Sequence, residues 1–316
     1  MEIGYFLASE EYGPRELVEQ ARRASAAGWD ELMVSDHYHP WIDAQGHSPF
    51  VWGLIGAIAA AAPSVTVTTG VTCPTLRIHP AVLAQATATA SLLLEGRFRF
   101  GVGSGENLNE HVLGDDWPDT DTRLDMLEEA VAVIRELWGG EQVSHSGEHY
   151  VVRNARIYDA PAEPPPVLVS GFGPKSASLA GRIGDGFVCA QPSAELLEQF
   201  RSAGGAGKPS YNGLKVCYGP DEAEAVRLVH RTWPNQSLPG ELAQELPSPT
   251  HFEQACELVT EEMVAEGVPC GPDPERFVAA VKEFESAGYD VLYLQQIGPD
   301  QQGFLDFFER EVRPRL

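Results

Sequence analysis

Short runs of apolar and β-branched residues alternate with stretches of helical period along nearly the whole chain. IGYFLA (3–8) reads as a strand, and Pro14 opens a helix through Ala27 with apolar residues at helical spacing. ELMVSDH supplies a second strand and Phe50–Ala62 a second helix. VTVTTGV (65–71) is dense in β-branched residues and is the third strand, followed by a helix over Ala81–Leu94. FRFGVGSG (98–105) is the fourth, followed by an amphipathic helix over Arg123–Leu137. VSHSGEHYVV predicts a hairpin turned at Ser146-Gly147. PPVLVSG, GFVCAQ and GLKVCYG give strands five to seven, separated by helices from Lys175 and from Ser193. A helix over Asp221–Thr232 precedes a Pro- and Glu-rich excursion at 234–272. DVLYLQQIG (290–298) is the eighth strand, and Phe304–Val312 closes the chain as a helix.

Eight strand–helix repeats with near-continuous apolar strands call for a parallel sheet covered on both faces. Closing that sheet gives an α/β (β/α)8 TIM barrel with insertions, spanning 1–316 as a single domain. The excursion at 234–272 is too long for a simple connection and reads as a lid-like insertion.

Composition narrows the class. The chain has 316 residues, 43% of them hydrophobic, enough for one large core. Its longest apolar run, Leu54 to Pro63, is too short and alanine-rich to span a bilayer. The opening MEIGYFLASEEYGP lacks a basic region and reads as a first strand rather than a signal peptide, so a soluble cytoplasmic protein is expected. Five scattered cysteines (Cys73, Cys189, Cys217, Cys256, Cys270) form no CxxC pair, which argues against a disulfide framework or zinc knuckle. A net charge of −24 disfavours nucleic acid and anionic membranes as partners. Lysine is scarce: Lys175, Lys208, Lys215 and Lys282 are the full set.

In a barrel, chemistry sits at the C-terminal strand ends. Those positions hold Glu10, the Asp36-His37 pair, Gly70-Val71 with Cys73, Glu106 with Asn109, the SGFGPKS turn, Gln191 and Gln295-Gln296. An acid beside an imidazole at a strand end suits proton handling, because histidine titrates near neutrality. Singly these residues have ordinary readings. Asp36 and Glu106 could cap helices, Glu10 and Glu11 could be a solvated pair, and Cys73 could be a packed thiol. Their convergence on one rim is the signal. GVGSGEN and SGFGPKS each join a strand to a helix and can turn backbone N–H groups toward an anion, with Lys175 beside the second.

Rival chemistries fit less well. A metal site (none is expected) would need ligands at further strand ends, which carry Gly171, Gln191, Gly219 and Gln296 instead. GVGSGE lacks both the GxSxG nucleophile pattern and the full Rossmann fingerprint. A non-catalytic binding barrel would not need a titratable pair facing an anion site. A redox ring with a phosphate suits the set better, since it needs an apolar wall, a backbone-lined anion pocket and a proton donor or acceptor.

SDHYHPW, TTGVTCPTLRIHPAVLAQATAT, GRFRFGVGSGENLNE, SGFGPKSASLAGRIGDGF and QQIGPD, in that order and spacing, resemble the luciferase-like superfamily. The likeness is to its coenzyme F420-dependent branch, near the glucose-6-phosphate dehydrogenases. That resemblance implies a homodimeric barrel holding the deazaflavin F420 at the C-terminal rim. Carried over by position, Asp36, Cys73 and Asn109 match contacts of the deazaflavin head group. Gly70-Val71 matches a bulge, usually with a non-proline cis peptide, behind the ring. Phe172, Gly173, Lys175 and Ser176 match the cofactor phosphate loop. His37 and Glu106 match the catalytic pair, and Glu10 and Trp41 the substrate pocket. The implied reaction is hydride transfer between a carbinol carbon and C5 of F420. The alternatives are an F420-dependent sugar-phosphate dehydrogenase, an FMN-dependent monooxygenase of the same superfamily and a non-catalytic binding barrel.

The departures concern the substrate. Where the dehydrogenases carry basic residues for the sugar phosphate, this chain has Ser193, Ala243 and Glu266, with Gln244 at a pocket histidine position. A phosphate dianion needs charge-assisted donors, so an uncharged alcohol or carbonyl compound is expected rather than a sugar phosphate.

Overall fold

A computed structural model describes all 316 residues. Ten strands form in chain order: β1 (Glu2–Leu7), β2 (Glu31–Val34), β3 (Thr66–Thr69), β4 (Phe98–Val102), β5 (Val143–Ser146), β6 (Val151–Ala155), β7 (Val167–Ser170), β8 (Gly186–Cys189), β9 (Ser210–Val216) and β10 (Val291–Gln296). Eight of them close into a parallel barrel in the order β1-β10-β9-β8-β7-β4-β3-β2. β5 and β6 form the separate antiparallel hairpin. The expected (β/α)8 barrel is therefore present.

Local chemistry explains the element boundaries. Proline stands in the first helical turn of Pro14–Ala26, Pro80–Leu93 and Pro174–Ile183, where its missing N–H costs no intrahelical bond. Asp119 caps helix Thr120–Trp138 by accepting from the Thr122 N–H. β2, β7, β8 and β10 are buried at every position, as strands covered on both faces must be. Between barrel and helices lies one apolar core that takes in Leu32, Phe98, Phe100, Val169, Phe187 and Leu292. A smaller cluster of Met33, Leu168, Val188, Tyr211, Val291 and Tyr293 fills the barrel interior. Below it Arg99 pairs with Glu31, which also accepts from the Tyr293 hydroxyl at 3.2 Å, so the lower end of the barrel is plugged by a satisfied polar group.

Two expectations are adjusted. β3 is shorter than the 65–71 run: its ladder ends at Thr69, and the chain passes the cis Gly70-Val71 peptide before Thr72 bridges Val102. The 234–272 excursion is mostly short helices, at Leu242–Glu245, Pro249–Cys256 and Glu261–Gly267. It leaves the barrel beyond Trp233 and returns where Cys270 bridges Cys217 at the end of β9. Helix Pro274–Ala287, which leads into β10, lies beyond it. No helix is long and apolar enough to cross a membrane.

Candidate active site

The C-terminal ends of the strands open on a cavity of about 800 Å³. Glu10, His37 and Trp41 line one side, Gly70 and Val71 its floor, Glu106 the side near β4, and Phe172, Gly173, Lys175 and Ser176 the β7 end. Gln244 reaches it from the insertion, together with Gly240 and Glu241. Most of the residues read from sequence thus share one cavity, although they lie as far apart in the chain as Glu10 and Gln244.

The histidine is fixed from several directions. Its backbone carbonyl accepts from the Ser48 hydroxyl at 2.7 Å, and its ring packs edge-on against Trp41 at 4.8 Å. His37 Nε2 lies 3.5 Å from Glu10 Oε1, both side chains being buried, while Nδ1 has no partner in the chain. Glu10 is held in turn by the Ser35 hydroxyl, which donates to Oε2 at 2.6 Å and is locked against Ser9. The residue placed by resemblance on the pocket wall is therefore the neighbour of the histidine itself. Glu106 stands apart: it occupies the N-cap position of the short helix Asn107–Glu110 without using its side chain as a cap. That leaves its carboxylate available to the cavity.

Asp36, Cys73 and Asn109 sit back from the cavity. None lines the cavity; all three lie behind its wall with their polar atoms largely committed to the protein. Asp36 accepts from Thr72 Oγ1 at 2.7 Å and from Arg77 at 2.9 Å. Asn109 Oδ1 accepts from the N–H groups of Tyr38 and His39, which fixes the turn after His37. Its Nδ2 is buried without an acceptor. The Cys73 thiol contacts the Thr75 hydroxyl at 3.0 Å, and burial pushes its pKa up, away from the thiolate. Arg77 also stands 3.5 Å from Glu110, whose pKa burial pushes up to about 7 against the pull of that guanidinium. The wall behind His37 is a knot of buried charge centred on Arg77.

The β7 end has the makings of an anion site. Helix Pro174–Ile183 starts at Gly173, whose N–H donates to Ser176 Oγ at 3.2 Å. Lys175 is exposed and pairs with Asp121. Gly103, between β4 and this loop, could not carry a side chain: a Cβ there would stand 2.7 Å from Ser170 Oγ and 2.9 Å from Val71. Glycine thus lets β4 and β7 converge with Val71 beneath the cavity, leaving a flat apolar floor that Met33 and Val188 extend. A planar ring on that floor with its phosphate at the helix start fits the residues present.

Sequence reading assigned no role to Arg77 or Lys215, and named Gln295 only as a strand-end residue. Arg77 was hidden because its partners lie 33 and 41 positions away. Lys215 and Gln295, on neighbouring strands, both face the cavity. The strand pattern LKVCY around Lys215 was the available signal, since a lysine inside an apolar strand needs a polar destination. Ser193, by contrast, lies outside the lining and caps helix Ala194–Phe200.

The luciferase-like monooxygenase family model matches residues 1–291, and the chain belongs to that family. An F420-dependent glucose-6-phosphate dehydrogenase of Segniliparus rotundus is 37% identical over 100% of this chain and 98% of its own length. One from Rhodococcus erythropolis is 38% identical over the same shares. The solved structure of an F420-dependent secondary alcohol dehydrogenase with an F420-acetone adduct superposes with a TM-score of 0.92, at 29% identity, over 100% of this chain and 99% of that one.

Proposed function

We propose that the protein is a coenzyme F420-dependent oxidoreductase acting on the carbon that bears an uncharged alcohol or carbonyl oxygen. The oxidoreductase class and the cofactor accord with the relatives just named. The observation that carries the finer reading is one cavity joining a helix-start anion site, across an apolar floor, to the His37–Glu10 pair.

Bound there, the deazaflavin supplies a carbon that accepts or gives a hydride. The chain's own residues do the rest. Gly173, Lys175, Ser176 and the N–H groups at the helix start hold the phosphate, with Phe172 beside them. Gly70 and Val71 support the ring. Arg77, Asp36, Cys73 and Asn109 act from behind, fixing the turn that carries His37. His37 takes the hydroxyl proton, or returns it. Glu10 stabilises the imidazolium across 3.5 Å. Glu106, with its carboxylate unclaimed, serves the proton of the cofactor edge. Trp41 shapes the substrate side, and the insertion carrying Gln244 acts as the lid.

The uncharged-substrate reading rests on the cation count. Lys175 and Lys215 are the lysines of the lining and no arginine joins them, while Lys175 is claimed by the anion end. The relatives' printed substrate, glucose 6-phosphate, favours a second reading as a sugar-phosphate dehydrogenase. We also place the protein in the cytoplasm, because its five cysteines are all free thiols, which suits a reducing compartment.

Fluorescence titration with F420 and with FMN, followed by F420 reduction across alcohols with and without phosphate, tests the assignment. F420 should bind more tightly and neutral alcohols should turn over. Tighter FMN binding would instead favour a flavin monooxygenase, and glucose 6-phosphate outrunning every neutral alcohol would establish the second reading.

A further inference from the structure

The reaction above leaves Lys215, the cavity's second lysine, without a task. Lys215 sits near the C-terminal end of β9, and its Nζ makes neither a hydrogen bond nor an ion pair within the chain. It rests 5.0 Å from the centre of the Trp233 ring, a cation–π distance. Burial lowers its pKa from the usual lysine value, and the Glu10 carboxylate opposes that shift. In the parallel register Lys215 is paired with Gln295 of β10, and both line the cavity. Gln295 is 4% exposed, and its Nε2 has no acceptor.

Two neighbouring strands therefore offer an ammonium and an amide donor with nothing in the protein to receive them. An orphaned buried donor is costly, so its partner is expected to arrive with a ligand. The surroundings say what kind. Glu10 contributes a carboxylate to the same cavity, not ion-paired with Lys215 but felt by it through charge, while the Trp41 and Trp233 rings contribute apolar faces. A single cation in the field of a carboxylate suits a neutral oxygen better than a phosphate dianion. Donors, one carboxylate and indole rings together match a carbon chain bearing several hydroxyls.

We propose that Lys215 and Gln295 form a specificity site for a second oxygen of the substrate, on the carbon next to the reacting one. The substrate is then an uncharged vicinal diol, polyol or hydroxyketone. This inference rests on the oxidoreductase reading above.

The test compares the wild-type protein with Lys215→Met and Gln295→Leu in two ways. F420 reduction is measured with 2-propanol, 2,3-butanediol, lactate and glucose 6-phosphate. Binding of 2,3-butanediol to the cofactor-free protein is followed by tryptophan emission. For the wild type, the diol should exceed 2-propanol in kcat/KM by about tenfold or more, chiefly through KM, as expected for a hydroxyl that satisfies buried donors. Each substitution should cost the diol about tenfold more than it costs 2-propanol, and Lys215→Met should weaken the diol titration. Equal losses for both alcohols would overturn the proposal. So would a preference for lactate or glucose 6-phosphate that Lys215→Met abolishes, because the recognised oxygen would then be anionic. If 2-propanol is oxidised without any advantage for the diol, the specificity site fails and the oxidoreductase reading survives. If no alcohol reduces F420 but the diol titration still depends on Lys215, the site stands and the oxidoreductase reading fails.

Discussion

Deleting the Arg77 guanidinium should unbalance the wall that supports His37. The cation donates to Asp36 at 2.9 Å and stands 3.5 Å from Glu110, and those carboxylate residues are 3% and 1% exposed. Arg77→Leu keeps apolar bulk but leaves both acids without their counter-charge. Breaking a buried ion pair from one side costs about 3–5 kcal/mol, mostly as uncompensated buried charge. For a chain of this size that corresponds to a fall in thermal midpoint of roughly 5–8 °C. The loss should depend on pH. Glu110 already titrates at about 7 with Arg77 present, and removing the cation raises it further. A carboxyl whose folded pKa exceeds its unfolded value favours the native state at low pH, and that contribution is lost as pH rises through the folded value. The deficit against wild type should therefore be largest near pH 7.5 and shrink toward pH 5. Thermal and urea midpoints at both pH values measure it. A loss below about 1 kcal/mol at pH 7.5, or an equal deficit at both pH values, would refute the reasoning.

Three further outcomes follow from the geometry. Lys175→Ala should weaken F420 binding, most clearly at low salt. Asp121→Asn should strengthen it slightly, because the exposed, salt-screened Lys175–Asp121 pair competes only weakly with the phosphate; isothermal titration against ionic strength checks both. His37→Ala should lower turnover by about a hundredfold or more while leaving F420 affinity within about twofold, as for a lost general base; stopped-flow reduction and fluorescence titration separate the two effects. Phe50, Val82, Leu92 and Leu93 are exposed on or beside helices Val51–Ala61 and Pro80–Leu93, a surface suited to a second copy of the chain. Sedimentation should give a dimer, and Leu93→Glu should shift it toward the monomer.

The barrel was legible because its strands are short and mostly apolar, and such runs separated by helical periods have few parallel-sheet solutions. The rim residues were legible for the same reason: polar side chains at the ends of apolar strands had one face of the fold to share. What escaped was determined by register and by distance. Whether Lys215 points into the barrel or out to the helices depends on strand register, which the LKVCY run leaves open. Arg77 lies in the loop before helix Pro80–Leu93 and gains its meaning from Asp36 and Glu110, each contributed by another element. Glu10 and His37 meet because β1 and β2 are neighbours in the barrel, so their pairing is a product of closure.

The two ends of the 234–272 insertion are anchored in unlike ways. At one, the Trp233 indole donates to Glu11 at 2.8 Å; at the other, Cys270 bridges Cys217. Neither anchor uses the cofactor floor or the phosphate loop. The segment between them can therefore change length and sequence at the modest cost of closing a longer loop, without retuning the redox chemistry below. It behaves as an exchangeable cassette. Transplanting the corresponding segment from a relative onto these two attachment points should exchange substrate preference while the barrel keeps its grip on the cofactor.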